Sequence, residues 1–241
     1  MEPQASATSG LARIRAHVVT HLPPGSIESH PLLQALATDR LSPTEAQAVA
    51  LDVFFVVRCF PQFLAGLISN LSDYRLRMPL VENLFEEHGR MKHAAVHEET
   101  FRLFLTGLGV EEERLAKSEP SIPALAYCRA MLSLCRSEPA PEALGALGVV
   151  EEIVARVSPL VSKYGLRHQL GAHASSAHFG VHEVLDLRHA EEIYELAARS
   201  TSDSPERWNQ VTRGINMGIY LQRRLYSDLI SLHTSAVPSS D

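Results

Sequence analysis

The sequence predicts an all-α protein, folded as a single bundle of about seven to eight helices. Apolar residues recur at three- and four-residue spacing in nearly every segment, which is the period of a helix packed on a core. Helix-starting signals precede several segments, as in Ser42-Pro43-Thr44-Glu45, where a capping serine, a first-turn proline and a glutamate follow in order. No repeat or low-complexity linker divides the chain, so we expect one domain over residues 11–235, with disordered ends at 1–10 and 236–241.

The predicted helices follow one another closely along the chain. The first begins at Ser42 and runs to about Leu71. Its stretch from Asp52 to Val57 is strand-like in composition, but no turn signal surrounds it, so it is interpreted as buried helix. The other predicted helices cover residues 73–87, 93–108, 121–135, 141–163, 169–199 and 205–233. Gly109 ends the helix before it, and a first-turn proline begins the helices at 121 and 205.

Length and composition exclude several classes of function. The 241 residues carry a net charge of −6, which argues against nucleic-acid binding. Three cysteines in a chain of this length do not form a disulfide framework and favour the reducing cytoplasm. The amino terminus has no apolar signal core. The longest apolar stretch, around residues 51–71, is interrupted by Arg58, Pro61 and Gln62, so we expect no membrane span.

The strongest functional motif lies on one predicted helix. His182, Asp186 and His189 form a His-x3-Asp-x2-His pattern. Because a helix turns by about 100° per residue, steps of four and three keep the three side chains within an arc of roughly 60°. Two imidazoles and one carboxylate on a single face are typical ligands of a first-row metal, above all iron. Further ligands must come from other helices.

Glu151 is the next candidate ligand. It lies in an otherwise apolar stripe of the helix predicted over 141–163. A carboxylate on such a face is costly to bury unless it is paired or bound to a metal. Its neighbour Glu152 falls off the stripe and is predicted to face solvent. The alternative is a small register shift that exposes Glu151.

A third source of ligands is the segment from Asn83 to His97, which is rich in Glu and His. Helical phase alone favours Glu86 with His93 as the inward pair. Gly89 interrupts the segment, so phase across it is unreliable. His97 shares a face with the apolar residues of the following turns and is predicted to point inward. The residues alone leave these pairings open.

These residues resemble the heme-oxygenase-like diiron oxidases, relatives of thiaminase II and pyrroloquinoline-quinone synthase. The segment Asn83–Gly89 with His97 resembles that family's first ligand block, and Glu151 its mid-chain glutamate. The last ligand helix of the family is matched by the His-x3-Asp-x2-His pattern, and the similarity spans about residues 41–232. By this resemblance the metal ligands are Glu87, His97, Glu151, His182, Asp186 and His189.

The resemblance implies a heme-oxygenase-like fold and two Fe(II) ions that react with O2 as co-substrate. Some members carry an additional glutamate on the helix before the first ligand block. Here Asp52 is the only acid after Glu45 on that helix, so the second ion is expected to be weakly held or to bind only with substrate. The alternatives are a metal-free thiaminase-like or cofactor-independent oxidase relative, and a non-catalytic helical metal-binding or interaction protein.

The resemblance also implies an oxidase or oxygenase acting on a small amino acid or other carboxylate in specialised metabolite biosynthesis. N-oxygenation, oxidative C–C cleavage and desaturation or cyclisation all stay open. Arg58, set among apolar residues, is hypothesised to hold the substrate carboxylate, against the alternative of an internal ion pair or a surface position. An external electron donor fits the chemistry, long apolar helices favour a homodimer, and we expect neither a nucleic acid nor a membrane as partner.

Overall fold

The computed structural model describes residues 3–137, 139–168, 172–201 and 204–234. For residues 3–8, and for 172–184 apart from Phe179, it describes only the helical backbone. Ten α-helices and no strand occur in these ranges, which confirms the predicted all-α class. The helices are α1 Pro3–His21, α2 Pro31–Ala37, α3 Pro43–Asn70, α4 Tyr74–Glu87, α5 His97–Gly107, α6 Glu112–Lys117, α7 Ile122–Arg136, α8 Ala140–Arg167, α9 Ala172–Thr201 and α10 Pro205–His233.

The seven predicted helices correspond to α3, α4, α5 and α7–α10, so the predicted count of seven to eight is too low. Helices α2 and α6 have only seven and six residues, too few to show a repeated apolar spacing. Helix α1 begins at Pro3, so helical structure extends into the segment 1–10 that was predicted to be disordered. Residues 236–241, the other segment predicted to be disordered, lie outside the described ranges.

Helix α3 begins where the sequence predicts. The Ser42 hydroxyl accepts a hydrogen bond from the Glu45 backbone N–H at 3.3 Å, and the Glu45 carboxylate accepts one from the Ser42 N–H at 2.8 Å. The strand-like stretch from Asp52 to Val57 is helical, as predicted. By length and composition α3 could cross a membrane, and in this fold it packs against α4, α5 and α7.

Helix α8 forms the centre of the bundle and packs against both α9 and α10. The contact with α10 depends on two glycines. A Cβ at Gly214 would overlap the carbonyl oxygen of Glu142, and a Cβ at Gly145 would overlap that of Val211. The two backbones therefore approach more closely than side chains would allow, which fixes the position of α8 between its neighbours.

The segment between α4 and α5 breaks the helical phase. Gly89 has a φ of +62° and leads into two 3-10 turns, Gly89–Met91 and His93–Ala95. Arg90 and Met91 also have positive φ, at 52° and 64°, a costly conformation for residues with a Cβ. The prediction of a helix from residue 93 is therefore wrong: α5 begins at His97. This break decides which acidic and histidine side chains face inward.

Candidate metal centre

Three of the predicted ligands meet in the core between α8 and α9. Glu151, Asp186 and His189 each offer one donor atom, and these atoms all lie within 4.8 Å of one another. Their exposed fractions are 3%, 2% and 1%. Donor atoms about 2.1 Å from a shared ion lie within about 4.2 Å of each other, so only small side-chain movements separate this arrangement from a coordinated one.

His189 supplies a specific test of whether a metal fits. Its Nδ1 atom is buried, and no described residue forms a hydrogen bond with it. The same atom lies 3.8 Å from Oε1 of Glu151. A buried ring nitrogen without a partner is unfavourable in a folded protein, and a metal ion between it and the carboxylate would satisfy both. The residues present fit a cation.

Glu87 and His97 form a second buried pair, contributed by the end of α4 and the start of α5. Oε2 of Glu87 lies 2.8 Å from Nδ1 of His97. Both side chains face the cavity that Glu151 and Asp186 also line. Three acids and a histidine therefore share one enclosed space.

Electrostatics at Glu151 favour a bound cation. Burial, together with the nearby carboxylates of Asp186 and Glu87, raises the pKa of Glu151 well above its ordinary value. The Nδ2 atom of Asn83 donates a hydrogen bond to Oε1 of Glu151 at 2.7 Å, which opposes the rise only in part. Since like charges in low dielectric disfavour ionisation, a metal ion or a proton must compensate this cluster.

Glu86, next to Glu87 in sequence, faces a different environment. Its carboxylate binds His189 Nε2 at 2.7 Å and Arg188 at 2.6 Å, and it also pairs with Arg90. Burial alone would raise the pKa of Glu86, but the hydrogen bonds from Arg90, His189 and Arg188 outweigh burial and hold it at about 2. Glu86 is thus a neutralised anion that contacts Nε2 of His189, and the Nδ1 atom of the same ring stays available to a metal ion.

Glu152 corrects one prediction. It was expected to face solvent, but only 16% of its side chain is exposed. Its carboxylate pairs with Arg156 and accepts a hydrogen bond from the Tyr194 hydroxyl at 2.9 Å. The described contacts of Glu152 join α8 to itself and to α9, away from the donor atoms of Glu151.

Other sequence predictions have mixed outcomes. His93 is exposed, so the pairing of Glu86 with His93 favoured by helical phase is wrong. His182 lies on α9 one turn before Asp186, but its side chain lies outside the described part of the chain. Asp52 accepts hydrogen bonds from the Ser121 N–H and from His233, both at 2.7 Å, and has a structural role.

Arg58 is not brought to this site. Its side chain is 47% exposed and pairs with Glu98 at 3.1 Å. Its guanidinium lies over the rings of Phe54 and Phe55, at 5.5 and 5.9 Å from their centroids. The premise that Arg58 is buried without a partner is therefore wrong, because solvent, an ion pair and aromatic faces all stabilise its charge.

The candidate centre opens onto an apolar cavity of about 180 Å³. Its wall is built from α2, α3, α4, α5, α7, α8, α9 and α10. The aromatic rings of Phe101, Phe104 and Phe179 pack edge to face beside it, with centroids 4.9 to 5.7 Å apart. No lysine or arginine lines the cavity in the described part of the chain. The site is thus an apolar pocket whose lining includes three acids and one histidine.

Comparison with known sequences gives a consistent identification. A family model described as an iron-containing redox enzyme matches residues 47–223. A protein named 4-aminobenzoate synthase from Chlamydia pneumoniae is 31% identical over 169 residues, which cover 69% of this chain and 73% of that protein. A protein of the same name from Chlamydia muridarum is 26% identical over 196 residues, 79% of this chain and 80% of that one.

Solved structures agree on the fold. A CADD-like protein of unknown function from Nostoc punctiforme has a TM-score of 0.75 at 18% identity, covering 95% of this chain and 99% of its own. A domain with a heme oxygenase-like fold from Shewanella denitrificans has a TM-score of 0.68 at 14% identity, with coverages of 96% and 93%. The predicted heme-oxygenase-like fold and the predicted iron cofactor are confirmed. The chain belongs to the family of iron-containing redox enzymes.

Proposed function

We propose that this protein is an O2-dependent, non-heme diiron oxygenase that acts on a small aromatic substrate derived from an amino acid. The observation that carries the proposal is the buried group of Glu151, Asp186 and His189, which borders an apolar cavity. The relatives named 4-aminobenzoate synthase support an aromatic amino acid derivative as the compound handled. We infer that the specific reaction is the formation of 4-aminobenzoate or of a similar aromatic amine.

The proposed ligands of two iron ions are Glu87, His97, Glu151, His182, Asp186 and His189. Their oxygen and imidazole donors suit iron better than structural zinc, which favours thiolates. Iron bound there would supply the electrons that activate O2. A reductant must restore them, so an external electron donor belongs to the proposal.

The remaining residues would prepare the cavity for that chemistry. Asn83 would orient the carboxylate of Glu151 by its 2.7 Å hydrogen bond to Oε1. The rings of Phe101, Phe104 and Phe179 exclude water from the space in front of the acids. We further propose a cytoplasmic location, which the three free cysteines support.

Anaerobic titration with Fe(II), followed by O2 and by candidate aromatic precursors, tests this function. We expect about two irons per chain, O2 consumption that requires iron, and an aromatic product detectable by mass spectrometry. Iron uptake without O2 consumption would favour a non-catalytic metal-binding protein. Turnover of a substrate without iron would favour a metal-free relative, and either result would contradict the proposal.

A further inference from the structure

A buried polar cluster also lines this cavity, on two helices that carry no proposed metal ligand. It consists of Tyr127 on α7 and of Gln222 and Tyr226 on α10, with exposed fractions of 3%, 5% and 6%. The Tyr127 hydroxyl donates a hydrogen bond to Oε1 of Gln222 at 2.6 Å. None of the three residues is a proposed ligand, since those ligands lie on α4, α5, α8 and α9. The cluster is therefore separate from the ligand set.

The hydrogen-bonding capacity of this cluster exceeds its internal contacts. With Oε1 of Gln222 occupied by Tyr127, the amide nitrogen is the group that Gln222 can present to Tyr226 or to a ligand. A tyrosine oxygen that accepts from an amide keeps its own O–H for donation, and the amide keeps a second N–H. Burial raises the pKa of Tyr226 to about 12, with Gln222 opposing the rise, and burial raises that of Tyr127 well above its ordinary value. Both hydroxyls remain protonated: that of Tyr127 donates to Gln222, and that of Tyr226 can donate to a ligand.

The rest of the cavity limits what could use these donors. Across the described lining, every acid and histidine is a proposed metal ligand, and the other polar groups are neutral. A neutral wall of this kind does not compensate an anion. The volume of about 180 Å³ accommodates one aromatic ring with a short substituent, since an apolar cavity of about 150 Å³ binds benzene.

We infer that Tyr127, Gln222 and Tyr226 form a subsite for an uncharged oxygen- or nitrogen-bearing substituent on a single-ring aromatic ligand. The identification of this ligand as the substrate rests on the proposed function, whereas its binding by the cluster does not. A hydroxyl or amino group is bound by the cluster, the ring lies against the apolar wall, and the reacting end faces Glu87, Glu151 and Asp186. Substrate orientation is then fixed by α7 and α10, without a cation.

The test compares two uncharged ligands of the same shape. Phenol and toluene are titrated into the full chain, loaded with Fe(II) without O2, and dissociation constants are measured by calorimetry. Tyr226→Phe and Gln222→Met should each weaken phenol binding about fivefold to tenfold, the effect of one neutral hydrogen bond, and change toluene binding less than twofold. Tyr164→Phe, another tyrosine of the lining, is the matched control and should leave the phenol-to-toluene ratio unchanged.

Melting temperatures accompany each titration, so that a misfolded variant is recognised, and Tyr127→Phe provides a further variant. An unchanged phenol-to-toluene ratio in both Tyr226→Phe and Gln222→Met would overturn the inference, as would an equal loss of both ligands in folded protein. The titration does not require turnover. If the chain takes up no iron, the proposed function fails, whereas the same titration of the untreated protein still tests the subsite.

Discussion

Two pairs of adjacent glutamates lie beside the cavity, Glu86–Glu87 on α4 and Glu151–Glu152 on α8. The second residue of the first pair and the first residue of the second pair line it. In each pair one carboxylate faces the cavity and the other pairs with an arginine four residues later on the chain, Arg90 or Arg156. The pKa values differ accordingly: that of Glu86 falls to about 2, whereas that of Glu151 rises well above its ordinary value.

Burial of an acid therefore does not by itself indicate a metal ligand. Glu86, Glu87 and Glu151 are all about equally buried, at 3% to 4% exposed. What separates them is the identity of their neighbours, because arginine neutralises Glu86 and other acids surround Glu151. An acid that is buried among acids requires a metal ion or a proton to compensate its charge.

The largest effect is expected from the proposed ligands on α9. Asp186→Asn and His189→Ala should each lower the affinity for Fe(II) by at least about 100-fold, more than the loss of a residue that only orients a ligand. Metal analysis after anaerobic loading measures this. Asp228→Asn, which breaks a surface pair with Arg224, is the control and should retain full iron content. Equal iron content in all three variants would contradict the assignment.

A smaller loss is expected when Glu86 is neutralised. Glu86→Gln removes the anion that holds Nε2 of His189, so the ring is less well oriented toward the other ligands. We expect the affinity for Fe(II) to fall about 10-fold to 100-fold while the number of ions at saturation stays the same. Anaerobic titration distinguishes the two quantities, and a lost ion at saturating iron would mean that Glu86 is itself a ligand.

Glu152→Gln should affect stability instead of iron binding. Loss of its pair with Arg156 leaves a largely buried guanidinium without its anion, at a cost of about 1–3 kcal/mol. For a chain of this size that corresponds to a decrease in melting temperature of roughly 3–10 °C. Glu113→Gln, which removes an exposed pair with Lys117, should leave the melting temperature unchanged. Weaker iron binding by Glu152→Gln would contradict the assignment of Glu152 to a structural role and of Glu151 to metal binding.

The smallest effect is expected at Arg90. In Arg90→Gln the carboxylate of Glu86 keeps its contacts with Arg188 and His189, so the affinity for Fe(II) should change less than about threefold. In the double variant Arg90→Gln/Arg188→Gln the carboxylate keeps only His189, so the affinity should fall further than in the single variant but less than in Glu86→Gln. If the single variant alone equals the double variant, the two arginines do not act together on Glu86.

The sequence predicts the fold class and most of the long helices because apolar periodicity and capping residues are local signals. Glu151 is placed correctly for the same reason, since it lies in an uninterrupted stripe of α8. The choice between Glu86 and Glu87 could not be made by phase, because Gly89 and the two 3-10 turns change the direction of the chain. Resemblance to a known family supplied that choice.

Contacts between distant helices were beyond sequence reasoning. The ion-pair partner of Arg58 is Glu98, which lies forty residues away on α5. The cluster of Tyr127 and Gln222 joins positions 95 residues apart, and its residues have no distinctive spacing. Asn83 did offer a signal, since it stands four residues before Glu87 and so shares a face of α4 with it.

The most direct test is iron stoichiometry in the four single variants Glu86→Gln, Glu87→Gln, Glu151→Gln and Glu152→Gln. Each replaces a carboxylate by an amide of the same size, and each is titrated with Fe(II) without O2 to saturation. We expect Glu87→Gln and Glu151→Gln to bind fewer than two ions, whereas Glu86→Gln and Glu152→Gln should bind the wild-type number. Full stoichiometry in the first two, or a lost ion in the last two, would contradict this expectation.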